Sequence, residues 1–151
     1  MDALNREILS LLQEDGRMSA TDVARAVGLS LSSCHRRVKE LEASGAIERY
    51  RAVVAPDAVG LRFEAIVFVM MNSSAPDVLE EFERAILELP DVVTGHRLFG
   101  DPDYMLRVLT RDLAAYQELY DRTLSALPGV QRLTSTIVMK RIGVEGTVPI
   151  P

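Results

Sequence analysis

Residues 28–44 have the sequence GLSLSSCHRRVKELEAS, in which a turn precedes a strongly patterned helix. Gly-Leu-Ser predicts a tight turn that ends in a helix N-cap, because a serine hydroxyl accepts a backbone N–H of the first helical turn. Apolar residues then recur every three or four positions, which predicts one helix face turned toward a core. These residues are Leu31, Cys34, Val38 and Leu41.

The other side of this helix is polar. At about 100° per residue, Ser32, Ser33, Arg36 and Glu40 point away from the apolar side, with Arg37 and Lys39 on the flanks. Small hydroxyls allow a helix to approach the DNA major groove closely, and arginine pairs bidentately with guanine. The candidate DNA contacts on this helix are Ser32, Ser33, His35, Arg36, Arg37 and Lys39. For the helix alone, a solvated polar face remains the alternative.

Two shorter helices are predicted upstream of residue 28. Ser19 and Asp22 form an S-x-x-D capping signal, and Asp2 is a candidate N-cap for a first helix. Gly28 ends the second helix, because the sharp turn needs a left-handed backbone. Three short helices with a glycine turn before the last one predict a helix-turn-helix. Residues 47–54 alternate enough to predict a strand, the wing of a winged variant, on which Arg49 reaches phosphate.

The second half has a β-α-β-β-α-β pattern. Apolar runs rich in Val, Ile and Thr predict strands, and apolar residues at helical spacing, closed by prolines, predict helices. The predicted elements are Phe63–Met71, Pro76–Leu89, Val92–Phe99, Tyr104–Leu109, Asp112–Leu127 and Val130–Met139. This order predicts a ferredoxin-like antiparallel sheet with both helices on one face. The first strand is apolar on both sides, so the open sheet face is expected to be buried between subunits.

The charge is unevenly distributed along the chain. Residues 1–54 hold eight basic and eight acidic residues, and residues 55–151 hold nine basic and fourteen acidic, which gives the net charge of −5. Phosphate neutralisation supplies most non-specific DNA affinity, so a neutral N-terminal module binds weakly as a monomer. Binding to double-stranded DNA is therefore expected to be multivalent, through a dimer or a larger assembly.

Other classes of protein are disfavoured by the residue content. Cys34 is the only cysteine, which excludes an internal disulfide, and its apolar register predicts a small buried residue. We expect neither a signal peptide nor a membrane span, and hence a cytoplasmic protein. Asp101 and Asp103 form a D-x-D pair without accompanying ligands. We therefore expect no metal, no other cofactor and no enzymatic activity.

Three segments of this sequence resemble the Lrp/AsnC ("feast/famine") family of transcription regulators. The first runs from Gly28 to Ile47, with the pattern Gly-Leu-Ser, five residues, then Arg-Arg-Val-Lys-x-Leu-Glu-x-x-Gly-x-Ile. The second comprises Arg49–Ala52 followed by Pro56–Leu61, and the third is Phe99–Val108. Together they follow the family's order over nearly the whole chain.

The resemblance implies a ligand-sensing domain that dimerises through its sheet and assembles further into an octamer. It also implies an amino-acid effector bound between subunits at a Gly-Asp-x-Asp-Tyr turn and a Thr-x-Thr strand segment. The matching residues are Gly100, Asp101, Asp103, Tyr104, Thr134, Ser135 and Thr136. Many relatives have an aromatic residue where this chain has Pro102. A plain hairpin turn and surface strand hydroxyls are the alternatives for these segments.

We thus predict a DNA-binding domain at residues 1–50, a strand and linker at 51–61, and an effector-binding and oligomerisation domain at 62–151. The predicted function is sequence-specific transcription regulation through an α+β protein, a winged helix-turn-helix followed by a ferredoxin-like domain. Its DNA affinity or oligomeric state would respond to an amino acid. An architectural protein that wraps DNA without a small-molecule effector is the alternative.

Overall fold

The computed structural model describes residues 1–143 and 147–151. It divides into two compact units, of which the second is Val54–Arg141. The first unit combines Met1–Val53 with the described part of the C-terminal segment Ile142–Pro151. Hydrogen bonds between Gln13 and Val148 hold this tail: Gln13 Nε2 donates to the Val148 carbonyl (2.9 Å), and the Val148 N–H donates to Gln13 Oε1 (2.8 Å). The tail, which the sequence grouped with residues 62–151, therefore contacts the first helix of the N-terminal unit.

The first unit contains the three predicted helices. Each begins at a side chain that accepts a backbone N–H: Asp2 from Asn5 (2.8 Å), Ser19 from Asp22 (3.1 Å) and Ser30 from Ser33 (3.3 Å). Gly28 has φ +67°, the left-handed conformation predicted for the turn. The helix-turn-helix is thereby confirmed, with α1 at Ala3–Glu14, α2 at Ala20–Ala26 and α3 at Leu31–Ala43.

A small apolar core joins these helices. Its buried members are Ile8, Val23, Ala24, Val27, Cys34 and Leu41. Burial raises the pKa of the Cys34 thiol, which keeps it protonated and unreactive. The prediction of Cys34 as a small buried residue is confirmed.

The predicted strand at residues 47–54 is wrong. These residues, all of which the structure describes, form no strand, and Val53 is 73% exposed. A strand needs a neighbouring backbone to complete its hydrogen bonds, and none of the described segments pairs with this one. The alternation of side chains alone therefore does not form a wing in the single chain. A short 3₁₀ turn at Pro56–Val59 follows.

The second unit confirms the predicted β-α-β-β-α-β order. Its elements are β1 (Phe63–Met71), α4 (Pro76–Leu87), β2 (Val92–Arg97), β3 (Tyr104–Thr110), α5 (Leu113–Arg122) and β4 (Val130–Ile137). The four strands pair antiparallel in the order β2-β3-β1-β4. The second predicted helix is shorter than expected, because the chain tightens into a 3₁₀ turn at Leu124–Ala126.

Strand register separates the two faces of the sheet. Val67 lies opposite Leu106 and Ser135, and this row faces the helices. The core between sheet and helices contains Ala65, Val67, Val69, Leu106 and Val108 of the sheet together with Phe82, Ile86, Tyr116 and Leu124. Phe68 lies opposite Met105 and Thr134, so these residues are on the open face.

Leu31, which was predicted to face a core, is instead exposed, and so is Leu113 on the apolar-patterned helix α5. Leu31 is 52% exposed and Leu113 is 58% exposed. Each is the first residue of its helix. Side chains on a helix tilt toward its N-terminus, so a first-turn side chain extends beyond the elements that the rest of the helix packs against.

A partly buried ion cluster marks the start of β1. Arg107 Nε lies 2.6 Å from Glu64 Oε1, and Arg141 pairs with the other carboxylate oxygen. The Glu64 side chain is only 11% exposed. Burial by itself raises the pKa of Glu64, but hydrogen bonds from the two arginines outweigh it and hold the pKa below its ordinary value of 4.5.

This cluster predicts an acid-dependent contribution to stability. A lowered folded-state pKa contributes stability that is present above pH 4.5 and is lost as pH falls through the folded value. At pH 7, Glu64→Gln should lower the free energy of unfolding by about 1.5–3 kcal/mol, the worth of a charge-assisted hydrogen bond. The difference between wild type and variant should shrink below pH 4.5, as measured by urea unfolding.

The matched control is Glu118→Gln, which alters an exposed ion pair with Arg122 on α5. It should change the free energy of unfolding by less than about 0.5 kcal/mol. The assigned role of Glu64 would be contradicted if wild type and Glu64→Gln differed in free energy of unfolding by the same amount at pH 7 and below pH 4.5.

Candidate DNA-binding and effector-binding sites

The exposed face of α3 borders an open groove that also includes the start of α2. The residues lining it are Ala20, Thr21, Leu31, Ser32, His35, Arg36, Lys39, Glu40 and Ala43. Small side chains occupy the N-terminal end of this surface, and the cations follow one turn later. Four of the predicted DNA contacts, Ser32, His35, Arg36 and Lys39, therefore share one solvent-accessible surface.

Arg37 points away from this groove, toward the start of α1. Its Nη1 donates to Asp2 Oδ2 (2.6 Å) and to Asn5 Oδ1 (2.8 Å), and its side chain is only 19% exposed. The N–H of Asn5 and the Arg37 guanidinium hold the pKa of Asp2 below its usual range. Arg37 therefore joins α3 to the N-cap of α1, and its contact with DNA stays a prediction.

The two remaining predicted contacts differ from the groove residues. Ser33 is half-buried, and its N–H donates to the Ser30 hydroxyl, so it belongs to the cap of α3. Arg49 is exposed and lies in the irregular segment after α3, not on a strand. Its side chain is accessible to phosphate.

The sequence-based candidates omitted two polar residues that line the groove, Thr21 and Glu40. Thr21 is exposed in the first turn of α2. Glu40 lies one turn after Arg36, and Arg36 Nη1 is 2.5 Å from Glu40 Oε1. Glu40 follows Arg36 by four positions in the sequence, and this i,i+4 spacing could have placed Glu40 among the candidates.

Asp103, predicted as an effector ligand, holds the turn between β2 and β3. Its Oδ2 accepts the Met71 N–H (2.7 Å), its N–H donates to the Val69 carbonyl (3.0 Å), and its carbonyl accepts the Leu98 N–H (2.7 Å). These bonds tie the turn to the end of β1. One oxygen of the carboxylate is thus bonded to the backbone, and the predicted role of Asp103 as the partner of a ligand amine stays a prediction.

Tyr104 also serves the fold. It is 2% exposed and packs against Phe82, with ring centroids 4.7 Å apart. Its hydroxyl donates to Glu83 Oε1 (2.8 Å) and accepts from Arg97 Nε (3.1 Å). Burial and the neighbouring Glu83 raise the pKa of Tyr104. The side chain lies on the helix side of the sheet, which corrects its predicted place in an effector pocket.

Ser135 faces the helices as well. Its hydroxyl is 2.5 Å from the Tyr116 hydroxyl of α5. Thr134 and Thr136 alternate with it and lie on the open face, opposite Phe68 and Ile66. The Thr-x-Thr segment therefore presents its two threonines to one side and its serine to the other.

Gly100, Asp101, Thr134 and Thr136 remain exposed. Gly100 has φ +132°, which favours glycine, and an added Cβ there meets nothing within 4 Å in the single chain. The turn and the threonines lie on opposite sides of β1, since β3 and β4 flank that strand. Two strand spacings already separate β3 from β4, so the turn and the threonines are at least about 10 Å apart. A single chain does not bring these two groups together into an enclosed site.

The described residues, 1–143 and 147–151, contain no group of three or more His, Cys, Asp or Glu side chains able to hold a metal ion. No helix within those ranges has the length and apolar character needed to cross a membrane.

Comparison with known proteins agrees with this geometry. Residues 1–48 match the family model "Winged helix-turn-helix DNA-binding". Residues 64–148 match the model "Lrp/AsnC ligand binding domain". The chain belongs to the Lrp/AsnC family. It is a transcription regulator with a DNA-binding helix-turn-helix and a ligand-binding domain, as the sequence predicted.

Individual relatives cover nearly the full length. The leucine-responsive regulatory protein of Escherichia coli (strain K12) is 37% identical over 142 residues, which are 94% of this chain and 87% of the relative. A transcriptional regulator of Neisseria meningitidis, solved as an L-Met complex, superposes with TM-score 0.93 at 33% identity, over 99% of this chain and 96% of that one. An AsnC family regulator of Agrobacterium tumefaciens superposes with TM-score 0.92 at 35% identity, over 99% of this chain and 97% of that one.

The different surroundings of Arg36 and Arg37 predict that only the Arg37 substitution lowers stability. Arg37→Ala should lower the melting temperature of the chain, because the hydrogen bonds that join α3 to Asp2 and Asn5 at the start of α1 are lost. Arg36→Ala, its matched neighbour, should stay within about 0.5 kcal/mol of wild type. Thermal unfolding of the full chain, followed by far-ultraviolet circular dichroism, measures both. Equal melting temperatures for the two variants would contradict the inward placement of Arg37.

Proposed function

We propose that this protein is a sequence-specific transcription regulator that inserts α3 into the major groove of its operators and responds to an amino acid. The observation that carries the proposal is the exposed face of α3. Arg36 is 62% exposed there, while Cys34 and Leu41 of the same helix are buried in the core. One side of the helix is thus fixed to its domain, and the other is presented to a partner.

The residue types suggest a division of roles on DNA. Arg36 suits bidentate pairing with guanine O6 and N7, and Ser32 and His35 lie beside it near the N-terminal end of the helix, the end that contacts base edges in helix-turn-helix proteins. Lys39 and Arg49 suit phosphate, which fixes position without reading sequence. We assign Arg37 no contact with DNA, because it bonds to Asp2 and Asn5.

The open sheet face supports assembly. Ile66, Phe68, Met70 and Met105 lie on that face, opposite the one covered by α4 and α5. An apolar sheet face is stabilised by burial, and a second copy of the chain supplies it with a matching surface. A homodimer presents two recognition helices, which compensates for the low positive charge of each N-terminal unit. We extend this to an octamer of four dimers, following the family resemblance.

The proposed effector site uses the residues that remain exposed. Backbone N–H groups near Gly100 suit a carboxylate, and the exposed Asp101 carboxylate, rather than Asp103, suits an α-ammonium group. Thr134 and Thr136 supply hydroxyls on the open face. Since at least about 10 Å separates the turn from the threonines, a neighbouring subunit is required to close the site. The L-Met complex of the Neisseria meningitidis relative supports an amino acid as the ligand.

Such a ligand alters DNA binding only by favouring one arrangement of subunits. A ligand with equal affinity for two arrangements shifts neither, however tightly it binds. A site shared by two subunits supplies the required difference, because its two halves separate when the subunits rearrange.

The DNA-binding proposal predicts distinct effects of two neighbouring cations. Arg36→Ala should weaken binding to a selected operator by about 1–3 kcal/mol while leaving random DNA nearly unaffected. Lys39→Ala should weaken both by a similar factor and reduce the slope of binding against salt concentration by about one. Fluorescence anisotropy with the full chain, on a site selected from a randomised library, measures all four affinities.

Equal loss on operator and random DNA for Arg36→Ala would remove Arg36 from base reading. Footprinting of genomic DNA tests the wider claim. Discrete protected operators are expected, whereas broad protection without sequence preference would favour an architectural protein that wraps DNA.

The effector proposal predicts different consequences at two aspartates of one turn. With wild type, a binding amino acid at one hundred times its Kd adds about 2.7 kcal/mol of stability. Asp101→Ala should abolish this thermal shift and leave the melting temperature of the ligand-free protein unchanged. Asp103→Ala should lower the ligand-free melting temperature, because the Met71 N–H loses its acceptor. L-methionine and L-leucine are the first probes in a screen of the twenty amino acids.

Thr136→Val, which removes an exposed hydroxyl at nearly constant size, provides an independent test on β4. It should also weaken the ligand-induced shift. A full shift in both Asp101→Ala and Thr136→Val would locate the effector elsewhere.

A further inference from the structure

An ion pair lies in the centre of the exposed face of α3. Arg36 Nη1 is 2.5 Å from Glu40 Oε1, and the two side chains are 62% and 55% exposed. Both line the groove that contains Ser32, His35 and Lys39. Glu40 therefore places a negative charge on a surface whose other charged residues are cations.

Helix stability does not account for Glu40. Exposed pairs at this spacing contribute little, and the order with arginine before glutamate is the less favourable one. Glu40 also lies in the last turn of α3, which ends at Ala43. The helix dipole is negative at that end, so a carboxylate there is opposed and a lysine would be favoured. A lysine would suit the helix better, so helix stability gives no reason for glutamate at this position.

On DNA, a carboxylate has two opposite effects. It repels phosphates, which lowers affinity for every sequence. In the major groove it also accepts a hydrogen bond from the cytosine N4 amino group. Held against a guanidinium, it further restricts the directions in which arginine donates. A residue that lowers affinity for all DNA but adds directional contacts to bases raises the ratio of the affinity for the operator to the affinity for random DNA.

The spacing suits neighbouring base pairs. Four residues along a helix advance about 6 Å, and base pairs stack about 3.4 Å apart. Arg36 and Glu40 are thus one helical turn apart on the same face, within reach of base pairs one or two steps apart.

We propose that Glu40 is a specificity-determining residue, which positions Arg36 for guanine and itself disfavours bases that offer no amino hydrogen at the adjacent step. This inference rests on the proposed insertion of α3 into the major groove. It assigns to Glu40 a role opposite to that of Lys39. Lys39 strengthens binding to all DNA, whereas Glu40 weakens binding to random DNA and preserves binding to the operator.

The test uses the full chain and a preferred site selected by the wild type from a randomised double-stranded library. Affinities for that site and for random DNA are measured at several salt concentrations for wild type, Glu40→Gln and Glu40→Ala. Both variants should bind random DNA several-fold more tightly, with a steeper salt dependence, and lose at least ten-fold in the preference for the selected site. Repeating the selection with Glu40→Gln should relax one or two base pairs adjacent to the position read by Arg36.

Glu118→Ala is the matched control, because Glu118 forms an i,i+4 pair with Arg122 on α5 in the other unit (2.8 Å). It changes the net charge equally and should leave the preference unchanged. An unchanged preference and an unchanged selected sequence in both Glu40 variants would overturn the proposal. So would an equal loss of preference in Glu118→Ala, which would reduce the effect to net charge. If Arg36→Ala also leaves operator binding intact, the insertion of α3 fails as well.

Discussion

The attachment of α3 to α1 is the contact on which the DNA-facing surface depends. The apolar core of the N-terminal unit is small, and a module of this size is marginally stable. The bonds from Arg37 to Asp2 and Asn5 supplement that core with a polar tie at the cap of α1. Successive helix positions differ by about 100°, so fixing Arg37 inward turns Arg36 outward. The same constraint aligns Ser32, Lys39 and Glu40 with the groove.

The sheet, like α3, has one side packed in the core and one side exposed. One face is committed to α4 and α5, and alternation of side chains leaves Ile66, Phe68 and Thr134 on the other. Asp103 ties the turn between β2 and β3 to the end of β1 through hydrogen bonds to the backbone. Gly100 and Asp101 of the same turn are exposed. Rigid placement of this turn gives a shared ligand site a defined geometry. The proposed effector, if it bridges subunits, would therefore act on the arrangement of recognition helices through assembly.

Features set by local sequence were predictable. The caps at Asp2, Ser19 and Ser30 follow from side-chain chemistry within four residues, and the strands follow from apolar runs. Features that depend on distant partners were not. Arg37 resembles Arg36 until the position of Asp2 is known, and Asp103 resembles a ligand residue until its bond to Met71 is known. The strand predicted at residues 47–54 failed for the same reason, because alternation indicates a strand but supplies no neighbour to pair with.

Methylation interference tests most directly the claim that α3 reads bases in the major groove. Dimethyl sulfate modifies guanine at N7, the atom to which Arg36 is assigned. Binding of the wild-type protein to a selected operator should be blocked by methylation of one guanine in each half-site. Arg36→Ala should become insensitive to that guanine while retaining sensitivity elsewhere. An identical interference pattern for the two proteins, or no interference with the wild type, would contradict the assignment.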